Sequence, residues 1–173
     1  MASQLTSYQV VLLTARHSIT GELFLRDQRL SDYMNDRRET MVTLQTATVA
    51  RLNDPGKILQ QHTLAVVPKS WIVVAFEPPQ KAIPAAHRFY GYIKKQTHDV
   101  FLVLEGMELR GILHTVGELD PRRFLGATTD TFLPITSAVI TLYASDRYII
   151  EQAAVMVNAT LIRYLAKTES PKT

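Results

Sequence analysis

The sequence contains no cysteine. Disulfides, thiolate metal sites and cysteine nucleophiles are therefore excluded. No uncharged apolar run reaches the roughly 18 residues that a membrane-spanning helix requires. The N-terminus, MASQLTSYQ, lacks the basic and then apolar pattern of a signal peptide. We therefore expect a cytoplasmic protein with no membrane-embedded part.

Catalytic motifs are missing as well. The five histidines show no metal-ligand spacing. The chain has no G-x-S-x-G, no Walker loop and no G-x-G-x-x-G. These absences favour a non-enzymatic protein without a cofactor or a metal, and an active site assembled from distant residues is the alternative. The formal net charge of +3 is compatible with nucleic acid but does not require it.

The chain does contain an internal repeat. Three stretches recur about 90 residues later with the same apolar pattern and few identities. The aligned pairs are Val10–Leu25 with Val100–Thr115, Tyr33–Val49 with Phe124–Ile140, and Ala65–Phe76 with Val155–Ala166. The sequence therefore predicts a tandem duplication of one small β-rich unit.

Each copy predicts the same order of elements. An apolar strand is followed by a second strand with period-two alternation, such as Ile19–Leu25. Gly21 and its counterpart Gly111 lie inside these second strands, where a glycine is typical of a bulge or a sharp bend. A short helical turn, a long strand and two short strands complete each copy.

The short helical turns differ in their end residues. Ser31 is predicted to cap the first turn and Asp120 the second. Asn35 and Gly126 align, and both residue types favour a positive φ. We therefore expect each turn to end in the left-handed conformation.

The last part of each copy predicts two short strands around a tight turn. In the first copy Pro68-Lys69-Ser70 forms this turn, and the preceding segment Asn53–Gln61 is predicted to be a surface loop. Trp71 alternates with apolar residues and is predicted to lie in the core. In the second copy Asp146–Lys167 would pass for a buried helix, but the repeat favours strand, turn and strand around Asn158.

The domain boundary is predicted from proline content. The segment from Glu77 to His87 is the only proline-dense stretch. We therefore expect a first domain over residues 1–77, a linker over residues 78–87 and a second domain over residues 88–173.

This order of elements resembles the Sm-like (LSm and Hfq-type) small β-barrel. The first motif of that family is similar to Gly21-Glu-Leu23, Asp32, Met34-Asn35 and Val42-Thr-Leu44. Its second motif is similar to residues 66–73, with Lys69 at the basic position of the turn. The resemblance implies an all-β protein of two tandem Sm-like barrels. The second copy carries Arg123 and Gly126 where the family has Asp and Asn, so we expect any site to lie mainly in the first copy.

The resemblance also implies a site for single-stranded RNA at the two turns of the first copy. An amide reads a base edge and a lysine neutralises a phosphate. The implied residues are Asp32, Met34, Asn35 and Lys69, with Arg29 beside them. The alternative is that Asp32 and Asn35 only cap a tight turn.

A second candidate surface lies in the segment RFYGYIKK. On a strand, alternate residues would share one basic and aromatic face, which suits single-stranded nucleic acid or a protein interface. These residues are Arg88, Tyr90, Tyr92 and Lys94. The alternative is a half-buried strand with its tyrosine hydroxyls at the rim.

Two functions follow from these patterns. The first is a non-enzymatic binding module for single-stranded RNA. The second is a protein-interaction or assembly module, including a homo-oligomer, because exposed strands can pair with a neighbour by edge addition. The lack of any concentrated basic stretch leaves the two nearly even.

Overall fold

A computed structural model describes residues 5–79, 95–144 and 148–168. It shows an all-β protein, which confirms the predicted class. The elements follow in chain order: β1 (Leu5–Leu13), β2 (His17–Arg26), α1 (Leu30–Asn35), β3 (Met41–Arg51), β4 (Asp54–Pro68), a 3-10 turn (Lys69–Trp71), β5 (Val74–Phe76), β6 (Gln96–Leu104), β7 (Met107–Thr115), α2 (Pro121–Ala127), β8 (Phe132–Leu142), β9 (Ile149–Asn158), a second 3-10 turn (Ala159–Leu161) and β10 (Tyr164–Lys167).

All ten strands belong to one antiparallel sheet, in the order β10-β6-β7-β8-β9-β5-β1-β2-β3-β4. We call residues 5–79 the first half and residues 95–168 the second half. Within each half the strand order is fifth, first, second, third, fourth. The halves meet where β5 pairs with β9, and we call this contact the internal junction. Over the described residues the sheet is open, and β4 and β10 form its two edges.

Both halves contain the same bulge between their second and third strands. The pairing register shifts at Gly21 in β2 and at Gly111 in β7. On the facing strands, Thr46 and Ser137 both have a φ of 49°. A Cβ at Gly21 would lie 3.0 Å from the Gln45 carbonyl oxygen, and the backbone of the facing strand is as close to Gly111. Glycine therefore allows the close strand approach that bends each half.

The described residues form two apolar cores, and each core includes side chains of the other half. The first core contains Phe132 and Met156 of the second half. The second core contains Leu13, Val73 and Val74 of the first half. Burial of these side chains provides most of the attraction between the halves, because apolar area removed from water is the main stabilising contribution to folding.

The predicted loop over Asn53–Gln61 is wrong. β4 begins at Asp54 and pairs along the whole of β3, with two register shifts near Ala50 that accommodate the turn. Pro55 is tolerated because β4 is an edge strand, and the backbone groups along its outer side need no partner in the sheet. The Pro55-Gly56 pair, which is typical of a loop, therefore lies inside a strand.

The predictions for the helical turns are partly confirmed. Asp120 caps α2, since its side chain accepts a hydrogen bond from the Arg123 amide. Ser31 does not cap α1, because the helix already begins at Leu30 and Arg29 occupies the N-cap position. Asn35 and Gly126 are not left-handed, because among the described residues positive φ occurs elsewhere. Both helices end without this conformation and lead directly into extended chain.

The strand, turn and strand arrangement predicted around Asn158 is confirmed by β9, the 3-10 turn and β10. The other interpretation of this segment, a buried helix, is wrong, since Ile149–Asn158 is strand β9. Residues 80–94, which include most of the predicted linker, lie outside the described residues. The domain boundaries therefore stay a prediction.

Candidate functional site

The residues predicted to bind RNA lie on two neighbouring turns of the first half. Met34 and Asn35 are at the end of α1, and Lys69 opens the 3-10 turn after β4. The structure brings these turns together, because the Lys69 ammonium donates hydrogen bonds to the carbonyls of Tyr33 and Asp36. It also brings them against the internal junction.

Lys69 is buried, with 6% of its surface exposed. Its ammonium lies 3.1 Å from the Asp36 carbonyl oxygen and 4.4 Å from the centre of the Tyr33 ring. Burial lowers the pKa of Lys69, and the nearby carboxylates of Asp36 and Glu39 oppose that shift. The charge of Lys69 therefore holds the α1 turn in place, as a donor to backbone carbonyls.

Asp36 follows α1 and pairs with an exposed arginine. The Asp36 carboxylate accepts two hydrogen bonds from the Arg38 guanidinium, at 2.9 and 3.0 Å. It also accepts from the Arg38 amide at 3.0 Å. These hydrogen bonds lower the pKa of Asp36 to about 2, and those from the Arg38 side chain have the largest effect. The ion pair between Asp36 and Arg38 thus stabilises the turn after α1.

Asn35 joins the two halves. Its side-chain nitrogen donates to the Phe132 carbonyl at 3.0 Å, and its side-chain oxygen accepts from the Phe132 amide at 2.8 Å. Met34, its neighbour, is buried in the first core. Both side chains therefore have structural roles, but Asn35 binds the other half and does not cap its own turn, which differs from the alternative stated for it.

The other predicted residues occupy the surface of the same turn. Asp32 is exposed on α1 and accepts a hydrogen bond from Ser31 at 3.5 Å. Arg29 stands at the cap position of α1 and is exposed. The second candidate surface lies outside the described residues, and it comprises Arg88, Tyr90, Tyr92 and Lys94.

Asn158 is a junction residue that sequence reasoning missed. It is fully buried, and its side-chain nitrogen donates to the carbonyls of Lys69 at 3.3 Å and Ile72 at 2.9 Å. Its side-chain oxygen caps the second 3-10 turn by accepting from the Thr160 amide, and its own amide donates to Val73. A lone amide after the apolar run VMV was the available signal.

Backbone pairing between β5 and β9 at the internal junction covers two pairs of residues. Val74 pairs with Val157 and Ala75 pairs with Met156. The turns between the first two strands of each half also meet, since a Cβ at Gly106 would lie 2.6 Å from the Ala15 carbonyl oxygen. Close backbone approach at this point therefore depends on glycine.

Apolar side chains are exposed at the C-terminal end of β4 and beside it. Met41, Val66 and Trp71 are 45%, 56% and 69% exposed. The predicted repeat aligns these residues with Phe132, Met156 and Leu161, in that order. Phe132 and Met156 are 0% and 8% exposed, and Leu161 is half-buried. The predicted core position of Trp71 is wrong, because nothing in the described part of the chain covers this edge, whereas the first half covers the equivalent edge of the second half.

A cavity of about 580 Å³ lies beside this edge. Its lining includes Ile19, Val66, Pro68, Trp71 and Leu161. The apolar edge and the cavity together form an exposed patch that points to an interaction surface.

Among residues 5–79, 95–144 and 148–168, no three His, Asp or Glu side chains are grouped so that they could hold a metal ion. Within those ranges no helix is long and apolar enough to cross a membrane. Comparison with protein-family models, curated proteins and solved structures finds no match.

Proposed function

We propose that the chain is a non-enzymatic assembly module of two tandem Sm-like units, and that it joins further copies of itself edge to edge. β4 of one chain would pair with β10 of the next chain. One observation carries the proposal. Apolar residues buried at the internal junction, such as Phe132 and Met156, correspond to exposed apolar residues on and beside β4, such as Met41 and Val66. The element order of the two halves supports the Sm-like assignment.

The two free edges are complementary in the same way as the two strands that already pair. β9 is the fourth strand of the second half, and it pairs with β5, the fifth strand of the first half. Among the described residues, a fourth strand, β4, and a fifth strand, β10, each lack a second neighbour and form opposite edges of the sheet. Such unlike edges give head-to-tail contacts, which close into a ring or continue as a fibre.

The repeat specifies the register of this pairing. Val157 and Met156 of β9 correspond to Val67 and Val66 of β4, and Val74 and Ala75 correspond to Tyr164 and Leu165. Val67 would therefore face Tyr164 of the next chain, and Val66 would face Leu165. Met41 and Val66 would be buried as Phe132 and Met156 are, which gives the contact an apolar centre.

The contacts of the predicted RNA residues favour assembly over RNA binding. The Lys69 ammonium and the Asn35 amide, which would contact phosphate and base, already donate to backbone carbonyls. Met34 is buried in the core. A nucleic-acid ligand would have to replace these hydrogen bonds, whereas edge pairing uses groups that face solvent.

Paired cysteines test the proposed contact, because the natural chain has none. Directly opposed residues of antiparallel strands have Cα atoms about 4.5–5.5 Å apart, a distance that a disulfide spans. Val66→Cys and Leu165→Cys in one chain should give a ladder of multimers on mild oxidation. An equal mixture of the two single variants should stop at a cross-linked dimer. As the matched control, Ile58→Cys with Leu165→Cys lies on the same edge but out of register. Equal cross-linking by both pairs, or by neither, would overturn the proposal.

Single-stranded RNA binding is the second candidate function. The observation in its favour is that Arg37 and Arg38 are exposed on the turn after α1, and Arg122 and Arg123 are exposed in the first turn of α2. Fluorescence anisotropy with a short labelled RNA at low and high salt tests it. We expect Arg37→Ala with Arg38→Ala to weaken binding more than the same changes at 122 and 123. Lack of any binding at low salt would exclude this function, since phosphate contacts strengthen as salt falls.

A further inference from the structure

We infer that Pro68, Gly126 and Arg16 make the contact between chains weaker than the internal junction. The two-unit chain is then a permanent building block, and its association with further copies is reversible. This inference rests on the proposed function and adds which residues set the strength of the contact. We call the proposed β4 to β10 contact the interchain junction.

Pro68 stands where the internal junction has Asn158. Asn158 donates its amide to the Val73 carbonyl at 2.9 Å and its side-chain nitrogen to the carbonyls of Lys69 and Ile72. Proline has no amide hydrogen and no polar side chain. All three hydrogen bonds are therefore absent from the interchain junction. A proline on the solvent side of an edge strand is also a common means of limiting edge pairing.

Gly126 stands where the internal junction has Asn35. The two hydrogen bonds between the Asn35 side chain and the backbone of Phe132 have no counterpart, because glycine has no side chain. In the interchain junction the groups left without this partner are the amide and carbonyl of Met41. Gly126 is exposed, and a Cβ there would meet open space. No packing reason therefore requires glycine at this position.

Arg16 stands where the internal junction has Gly106. The Ala15 carbonyl approaches Gly106 closely, and Glu105 is the residue equivalent to Ala15. In the interchain junction Arg16 would meet Glu105 of the next chain. The arginine Cβ prevents the close backbone approach, while the opposite charges attract over the wider gap. This exchange makes the interchain junction dependent on salt.

The apolar part is retained, which explains how the interchain junction can form at all. Met41, Val66 and Trp71 would be covered as Phe132, Met156 and Leu161 are covered within the chain. Five hydrogen bonds of the two asparagines are lost and the apolar contact is kept. A contact of this composition dissociates at low protein concentration, whereas the internal junction is held by the covalent chain as well.

Restoring the asparagines tests the inference. Pro68→Asn and Gly126→Asn would recreate at the interchain junction the contacts seen at the internal junction. Each net hydrogen bond corresponds to roughly two- to tenfold in an equilibrium constant. We expect each variant to tighten association about tenfold, and the double variant about a hundredfold, by sedimentation velocity over a range of concentrations. Pro68→Ala and Gly126→Ala are the matched controls, which change the backbone without supplying an amide.

The outcomes separate the inference from the proposed function. A wild-type chain that stays monomeric at every concentration overturns both. A wild-type chain that associates, with asparagine variants no tighter than the alanine controls, overturns the inference and leaves the proposed function standing. Tightening by Gly126→Asn alone is sufficient support if Pro68→Asn does not fold, because position 126 lies on an exposed helix surface.

Discussion

The Asn35 side chain forms both a donor and an acceptor hydrogen bond with a single residue of the other half, Phe132, at 3.0 and 2.8 Å. The backbone of Phe132 thereby pairs with a side chain at the start of β8. Because the aromatic ring of Phe132 is fully buried in the first core, this contact fixes the entry of β8 into the junction.

Asn35→Ala should therefore lower the free energy of unfolding by about 2–3 kcal/mol, because it leaves a backbone amide and a backbone carbonyl without their partner. Urea denaturation measures this loss. Asn35→Asp is the matched control: it keeps the acceptor and removes the donor, so we expect a smaller loss at neutral pH. An alanine variant as stable as the wild type would show that water replaces the side chain.

The two glycines at the bulges should differ in their tolerance of alanine. A Cβ at Gly111 would lie 2.5 Å from the Ile135 side chain and 2.9 Å from the Thr136 carbonyl oxygen, whereas at Gly21 the nearest atom is 3.0 Å away. We expect Gly111→Ala to cost about 2–3 kcal/mol of unfolding free energy and Gly21→Ala about 1 kcal/mol. Gly126→Ala should cost nothing, because that site is open. The reverse order of Gly21 and Gly111 would contradict this account.

Thr46 holds a left-handed conformation, with φ at 49°, that a β-branched residue adopts at a cost. Thr46→Gly should therefore raise the free energy of unfolding by about 0.5–1 kcal/mol, after the greater flexibility of glycine in the unfolded chain is counted. Thermal and urea unfolding test the change. Thr48→Gly, two residues away in the same strand, should lower stability instead. Equal effects at both positions would mean that the conformation of Thr46 is not strained.

The pKa of Asp36, about 2, depends on Arg38. Because this pKa lies below the ordinary value of 3.8, the ionised group contributes stability above that value, and the contribution is lost as the pH falls towards 2. Arg38→Ala should raise the pKa but leave it below 3.8, since the backbone amide at position 38 still donates. Carboxyl chemical shifts measured by NMR against pH give both values. An unchanged pKa in the variant would assign the shift to another group.

Trp71 is the only tryptophan and is exposed beside the proposed edge. Its fluorescence should move to shorter wavelength as protein concentration rises, because association would bury the indole ring as Leu161 is partly buried. Val66→Glu, which puts a charge on the same edge, should abolish the shift. A constant emission maximum while the measured mass increases would place the contact elsewhere.

The sequence was sufficient wherever the signal is local. Period-two alternation located β2, the Asp-Pro pair located the start of α2, and the apolar pattern of the repeat resolved β9 as a strand. The first two signals depend on residues within one strand or one turn, and the third depends on the match to a segment 90 residues earlier. The repeat also placed Gly21 and Gly111 at matching bends, which the structure shows as matching bulges.

Exposure at the junction could not be predicted locally. Met41 and Phe132 occupy equivalent apolar positions, and only the covering of β8 and β9 by the other half makes one exposed and the other buried. The same reason explains Trp71. Asn35 was singled out for its side-chain chemistry, yet its partner lies 97 residues away in the chain. No local pattern indicates such a partner.

The sharing of side chains between the two cores has a consequence for unfolding. Phe132 completes the first core while Leu13 and Val73 complete the second, so neither core is whole when the halves separate. We therefore expect a single cooperative transition on heating, with the calorimetric and van't Hoff enthalpies in agreement. Neither half should be an autonomous folding unit, and each polypeptide, expressed alone, should be prone to aggregation through its uncovered strand.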